Sequence, residues 1–373
     1  MSRFRLSSLL LLVCLLGTTL RVQAQQATPT YYEESVSATN PLRTEQVREL
    51  DSYIQTLKQD KARLESLFHP DYASPSAYTA STRRLRQAFE RSIGYPPPGK
   101  PTAEAPLFQK IGEDGIGVYY RVKISVLPGV NCLGIYIVPK GLKRRAPLVI
   151  SMHGGGGSPE IALFHGGSNY HDMVRGGVKR GYVVFAPTHL FSAEGYPRDI
   201  RNRIDDRMRM VGTSLTAVEI AKISRSLDVL LKRPEVDPKR VAMVGLSYGG
   251  YYTLVTTALE PRIKAAVSSC YFGVQEGRYA QDELGIPSDF RFPDRFTLFT
   301  DRELVAMICP RALEIQAGRF DNASHRETGK VLAPLSAEFY HHLSQNDNFR
   351  FVVFEGGHDF WDATAWEFLS KHL

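Results

Sequence analysis

Cysteine is scarce in this chain, with four in 373 residues, and no two of them are paired at the spacing of a zinc site. A metal centre is therefore not expected. Long apolar runs are missing too. The run from Leu9 to Leu16 is too short to cross a bilayer. Unbroken stretches of lysine and arginine are also lacking. Arg201, Arg203, Arg207 and Arg209 cluster, but Asp205 and Asp206 stand among them, as on a solvated face. Internal repeats and low-complexity tracts are not found, which excludes solenoids and fibrous classes.

Arg3 and Arg5, the apolar run and Val22-Gln23-Ala24 together have the form of an export leader, residues 1–24, with a small-residue cleavage site. A chain freed of it would carry 43 basic against 39 acidic residues, a net +4. So small an excess argues against nucleic acid as a partner. The expected location is secreted or periplasmic, with no stable membrane insertion once the leader is gone. Cys132, Cys270 and Cys309 would remain, enough for one disulfide at most. Cys132 and Cys270 lie inside apolar runs, which favours buried free thiols.

A polar N-terminus gives way at about Pro41 to apolar residues at helical spacing: Leu50, Ile54, Leu57, Leu64 and Leu67, then Leu85, Phe89 and Ile93. Tyr95-Pro96-Pro97-Pro98-Gly99 breaks the pattern, so 25–99 is expected to form a flexible start, a helical appendage and a linker. Beyond it, eight strand-like runs are predicted at 116–125, 131–138, 147–152, 181–187, 240–245, 264–270, 311–317 and 349–354. The first two are joined by Leu127-Pro128-Gly129, a hairpin signal. The later ones are short and continuous in Val, Ile and Ala, as in strands buried on both faces. With helices between them, the prediction is an α/β domain over 100–373: an eight-stranded, mostly parallel sheet covered on both faces.

Gly245-Leu246-Ser247-Tyr248-Gly249-Gly250 follows a strand run and precedes a helical one. This is the setting of a nucleophile elbow, a turn too tight for flanking side chains that lifts a serine hydroxyl clear of the sheet. A serine needs a base, and the base an orienting carboxylate. His358 stands just past the eighth run and Asp321 just past the seventh, with Asp301 as the alternative acid. The third run ends in His153-Gly154-Gly155-Gly156-Gly157, where a backbone N–H can approach a reacting oxygen. Gly155 and Tyr248 are the expected oxyanion donors. The long segment from Gly273 to Arg302 is rich in aromatic rings, and Phe290 and Phe292 are expected to line a substrate pocket.

These residues, with Arg233-Pro-Glu-Val-Asp-Pro-Lys-Arg240 leading into the serine turn, resemble the α/β-hydrolase superfamily. The resemblance covers about 100–373 and is nearest to the secreted acetyl xylan esterase and dienelactone hydrolase-like group. It implies the α/β-hydrolase fold and a Ser247–Asp321–His358 triad. It further implies hydrolysis of a small-molecule or carbohydrate ester through an acyl-enzyme, without a cofactor. The same phrase resembles the catalytic domain of prolyl oligopeptidase-like serine peptidases, which is the alternative. Those enzymes carry a large β-propeller before the catalytic domain, whereas residues 25–99 read as helical here.

Overall fold

The computed structural model describes residues 31–165, 168–276 and 287–373. The expected leader lies outside them. Residues up to Thr56 form one unit and Leu57–Leu373 another. Of the first, the greater part of helix α1 (Asn40–Gln59) is the one regular element described.

The second unit is built on a nine-stranded sheet in the order β1-β2-β3-β5-β4-β6-β7-β8-β9. The strands are β1 (Leu107–Glu113), β2 (Gly117–Leu127), β3 (Val130–Pro139), β4 (Ala146–Met152), β5 (Val183–Pro187), β6 (Val236–Leu246), β7 (Ala265–Ser269), β8 (Ala312–Gly318) and β9 (Phe349–Phe354). β1, β2 and β3 form an antiparallel meander, and β3 joins the remainder antiparallel to β5. From β5 to β9 every pairing is parallel. This is the α/β architecture expected, with one strand more. β1 escaped prediction because its residues are all exposed or half-buried and include Gln109, Lys110 and Glu113, which break the apolar signal of a strand. By contrast, all seven residues of β4 are buried, as a strand covered on both faces requires.

Among the described elements, helices α2 (Ala62–Leu67), α3 (Pro75–Ser81) and α4 (Arg83–Ile93) precede the sheet. α5 (Pro159–Phe164), α6 (Arg175–Lys179), α7 (Ile200–Arg209), α8 (Leu215–Leu230), α9 (Tyr248–Leu259), α10 (Asp301–Ile308), α11 (Ala323–His342) and α12 (Asp362–His372) lie between or after the strands. α4 presents Leu85, Phe89 and Ile93 on one stripe, all buried. Phe89 meets Phe292 and Phe299 at 5.3 Å between ring centres, so this helix shares the sheet's main core. α4 stops at Gly94 (φ +69°), where a Cβ would come within 2.6 Å of the Gly212 carbonyl.

Because Phe89 is wholly buried between helix and sheet, Phe89→Ala should cost about 3–5 kcal/mol of unfolding free energy. Urea titration followed by circular dichroism measures this. A loss below about 1 kcal/mol would show that α4 packs on the body without supporting it.

Candidate active site

The parallel strands place the loops after β4, β6, β7, β8 and β9 at one edge of the sheet. At the end of β6 the chain turns sharply at Ser247, whose φ of +58° and ψ of −115° lie where side chains seldom go. Crowding explains the glycines on either side. A Cβ on Gly245 would lie 2.2 Å from the Gly249 carbonyl oxygen, and one on Gly249 would lie 2.2 Å from that of Met152. The Ser247 N–H donates to the Ser269 carbonyl at 2.7 Å, tying the turn to the end of β7.

His358 and Asp321 are brought together. The imidazole Nδ1 and the Asp321 Oδ1 are 2.8 Å apart, with the carboxylate buried and the ring partly open to solvent. Burial alone would raise the Asp321 carboxyl. The His358 contact and the Asn322 N–H at 2.7 Å outweigh it and hold the group below its ordinary value. The backbone of the histidine loop is pinned as well. Asn169 Nδ2 donates to the His358 carbonyl at 2.8 Å, and the Ser269 hydroxyl donates to that of Asp359 at 2.7 Å. Asp301 is engaged elsewhere, accepting from Arg295, from Gln275 at 2.6 Å and from the Gly273 N–H at 3.0 Å.

The glycine loop after β4 abuts the serine, since a Cβ on Gly154 would stand 3.5 Å from Ser247 Cβ. The Gly154 N–H is taken by the Tyr170 hydroxyl at 2.8 Å, and the Gly157 N–H by the Gly154 carbonyl at 3.2 Å. Among the described residues, the N–H groups of Gly155 and Tyr248 have no acceptor outside regular structure. Tyr248 is the first residue of α9, where a helix has no partner for its N–H.

The two phenylalanines expected in a pocket are both buried. Phe292 packs between Phe89 and the rest of the core, under the Arg295 guanidinium. Phe290 is buried behind Tyr248 and 4.1 Å, centre to centre, from Tyr251. Their apolar faces anchor the long segment to the body, which is what an aromatic-rich loop gains most from burying. The ring that does reach the glycine loop is Phe191, whose Cε2 would touch a Cβ on Gly155 at 2.6 Å.

Residues that the sequence reading did not assign to the site complete the surroundings. Asp289, fully buried, accepts from the hydroxyls of Tyr248 at 2.6 Å and Tyr252 at 2.7 Å. The Arg201 guanidinium lies over the rings of Phe191 and Tyr248, at 4.2 and 4.7 Å from their centres. His153 and His189 stack at 3.7 Å beneath the loop. Cys270, left-handed at φ +54°, is buried beside the dyad. Its place at the end of β7, among strand ends that carry the other site residues, is the one clue the sequence held. The Cys270 sulfur, the Asp321 carboxylate and a His358 nitrogen lie within 4.8 Å of one another, a spacing a metal ion could bridge. Burial and the Asp321 charge push the thiol up to about 12, however, so it stays protonated. The facing atoms of Asp321 and His358 already engage each other, so the trio suits a hydrogen-bonded relay better than a metal centre.

Residues 139–290 match the model of the dienelactone hydrolase family. The fold is shared with a candidate acetyl xylan esterase of Bacteroides fragilis, at a TM-score of 0.63 and 17% identity over 79% of this chain and 81% of that one. The chain has the α/β-hydrolase fold. A glucuronoyl esterase from Solibacter usitatus shows the same hydrolase fold at a TM-score of 0.60 and 13% identity, covering 80% of this chain and 93% of its own. In sequence, the chain is 29% identical over 148 residues to the quorum-quenching protein AidA of Acinetobacter baumannii (strain MDR-ZJ06), spanning 38% of this chain and 41% of AidA. The matches span less than half the length of each of the curated relatives.

Burial pushes His153 down to about 4, and its Nδ1 donates to the Gly154 carbonyl at 2.9 Å as a neutral ring. His189 is lowered for the same reason, with His153 beside it. An unfolded histidine takes up its proton near pH 6.5, where the folded His153 refuses it. The folded protein should therefore lose stability as pH falls from about 6.5 to about 4, by about 3 kcal/mol for this ring alone. Melting temperatures across that range test it. His153→Asn should make the acid limb shallower, and an unchanged slope would show the ring to be protonated in the fold.

Proposed function

We propose that this α/β-hydrolase is a serine esterase that cleaves carboxylic esters through an acyl-enzyme, with Ser247 as nucleophile, His358 as base and Asp321 as its orienting partner. The observation that carries the reading is the strained Ser247 turn, set at the sheet edge that also holds the 2.8 Å His358–Asp321 pair.

In the first half-reaction His358 takes the Ser247 proton as Oγ attacks the ester carbonyl carbon. The electron pair of the carbonyl moves to its oxygen, which the N–H groups of Gly155 and Tyr248 receive. The C–O bond to the alcohol then breaks, and the imidazolium returns its proton to that leaving oxygen. In the second half-reaction water replaces the alcohol, again giving a proton to His358, and the acid leaves with Ser247 restored. Asp321, held below its ordinary pKa, stays ionised and fixes the ring with Nδ1–H toward it.

The substrate class we favour is an esterified carbohydrate. The B. fragilis and S. usitatus relatives are named for acetyl xylan and glucuronoyl esters, and the shared fold lends that class support. A leader at 1–24 would send the enzyme to the periplasm or the medium, where such polymers are met.

Ser247→Ala should lower turnover of 4-nitrophenyl acetate and of acetylated xylo-oligosaccharides by about a thousandfold or more, with the circular dichroism spectrum unchanged. Retention of a tenth of the activity would remove Ser247 from the mechanism. Parallel loss on both substrates is expected. Turnover of the chromogenic ester alone in the unaltered enzyme would leave the esterase and discard the carbohydrate.

A further inference from the structure

The opposite edge of the sheet, where β7 and β8 begin, holds a cavity of about 300 Å³ that the proposed reaction does not use. Thr79 of α3, Arg86 of α4, Lys264 before β7 and Arg311 before β8 line it. Its three cations converge on the C-terminal ends of α9 and α10. Arg86 donates to the carbonyls of Ala258 at 2.9 Å and Met307 at 2.6 Å. Arg311 donates to those of Glu260 and Ile263 at 3.0 and 2.9 Å, and to Thr257 at 2.5 Å. Lys264 reaches the Pro261 carbonyl at 2.9 Å. Every one of these acceptors is a backbone carbonyl. Helix ends and carbonyl dipoles moderate positive charge but do not cancel it.

No carboxylate among the described residues forms an ion pair with any of the three. The acid nearest in sequence, Glu260, is held by Arg262 and by the Ser224 hydroxyl at 2.6 Å. Glu90, one turn past Arg86, makes no ion pair among the described residues, and burial raises its carboxyl. The mutual repulsion is felt: burial first, then Arg86, pushes Arg311 down to about 10. Glu90 attracts Arg86 and Glu260 attracts Arg311 through space, but neither acid pairs with them directly, and a bound anion would relieve the repulsion that is left between the grouped cations.

We propose that this cavity is a binding site for a small, multiply charged oxyanion of the phosphate class, distinct from the active site. Arg86 and Arg311 form its fixed floor, since their carbonyl bonds leave them no freedom to turn away. Lys264, exposed at the mouth, is the mobile donor that closes on the ligand. The anion would bridge Arg86 of α4 to Lys264 and Arg311, clamping α4 to the strands that those two residues precede.

Thermal unfolding of the full chain, with inorganic phosphate against sodium chloride at equal ionic strength, tests the site without reference to ester turnover. Phosphate at ten times its Kd should raise Tm by about 2–4 °C beyond the chloride control. Lys264→Glu should abolish that increment and leave 4-nitrophenyl acetate turnover unchanged. Lys264→Gln, the gentler variant, should reduce the increment at least by half, so a folding defect in the first does not decide the matter. Equal responses of the unaltered protein to phosphate and chloride would overturn the proposal. A full phosphate increment in Lys264→Gln would do the same, by placing the anion elsewhere.

Discussion

Helix α9 begins with its backbone pressed against the carbonyls of Met152 and His153 on one side and of Ser269 on another, with no side chain between them. That closeness sets the position of Ser247, and it brings the loops after β4 and β7 to the serine. Any residue larger than glycine at 249 would push the helix off the sheet and spread those loops apart. Close packing of backbone on backbone tolerates no partial adjustment, so the candidate site is rigid around Ser247. The left-handed Ser247 is the strain that this packing sustains.

A second layer of constraint is polar. Tyr248 supplies a backbone N–H at the mouth of the site while its hydroxyl is held by buried Asp289. The same carboxylate holds Tyr252, and the Asp289 backbone carbonyl accepts from Tyr251 at 2.9 Å. One acid from the segment after β7 thus fixes three successive rings of α9 through α9's first turn. Such a network is costly if left partly unsatisfied, which makes its geometry specific.

What could be read from the chain beforehand follows from how local each signal is. Ser247 was legible because strand, turn and helix are contiguous, and the glycines are demanded by the turn itself. Asp321 and His358 were legible because each closely follows a strong apolar run. β1 was not, because an exposed edge strand has no apolar pattern to display. The aromatic density around Phe290 and Phe292 marks burial as readily as a binding wall, and both rings are buried. Asp289, Arg201 and the stacked His153 and His189 meet only through tertiary packing, and no spacing in the sequence encodes such a meeting.

The edge strand has a consequence for the molecule in a crowded solution. A sheet of this size offers an unpaired row of N–H and C=O groups along β1, an invitation to strand addition by a neighbour. Here the pairing of β1 with β2 slips between Lys110 and Gly112, and Gln109, Lys110 and Glu113 are exposed along its length. An irregular, charged border of this kind discourages a further strand beside the nine of the described residues. Resistance to sheet-to-sheet aggregation is thus written into the same polar residues that hid β1 from view.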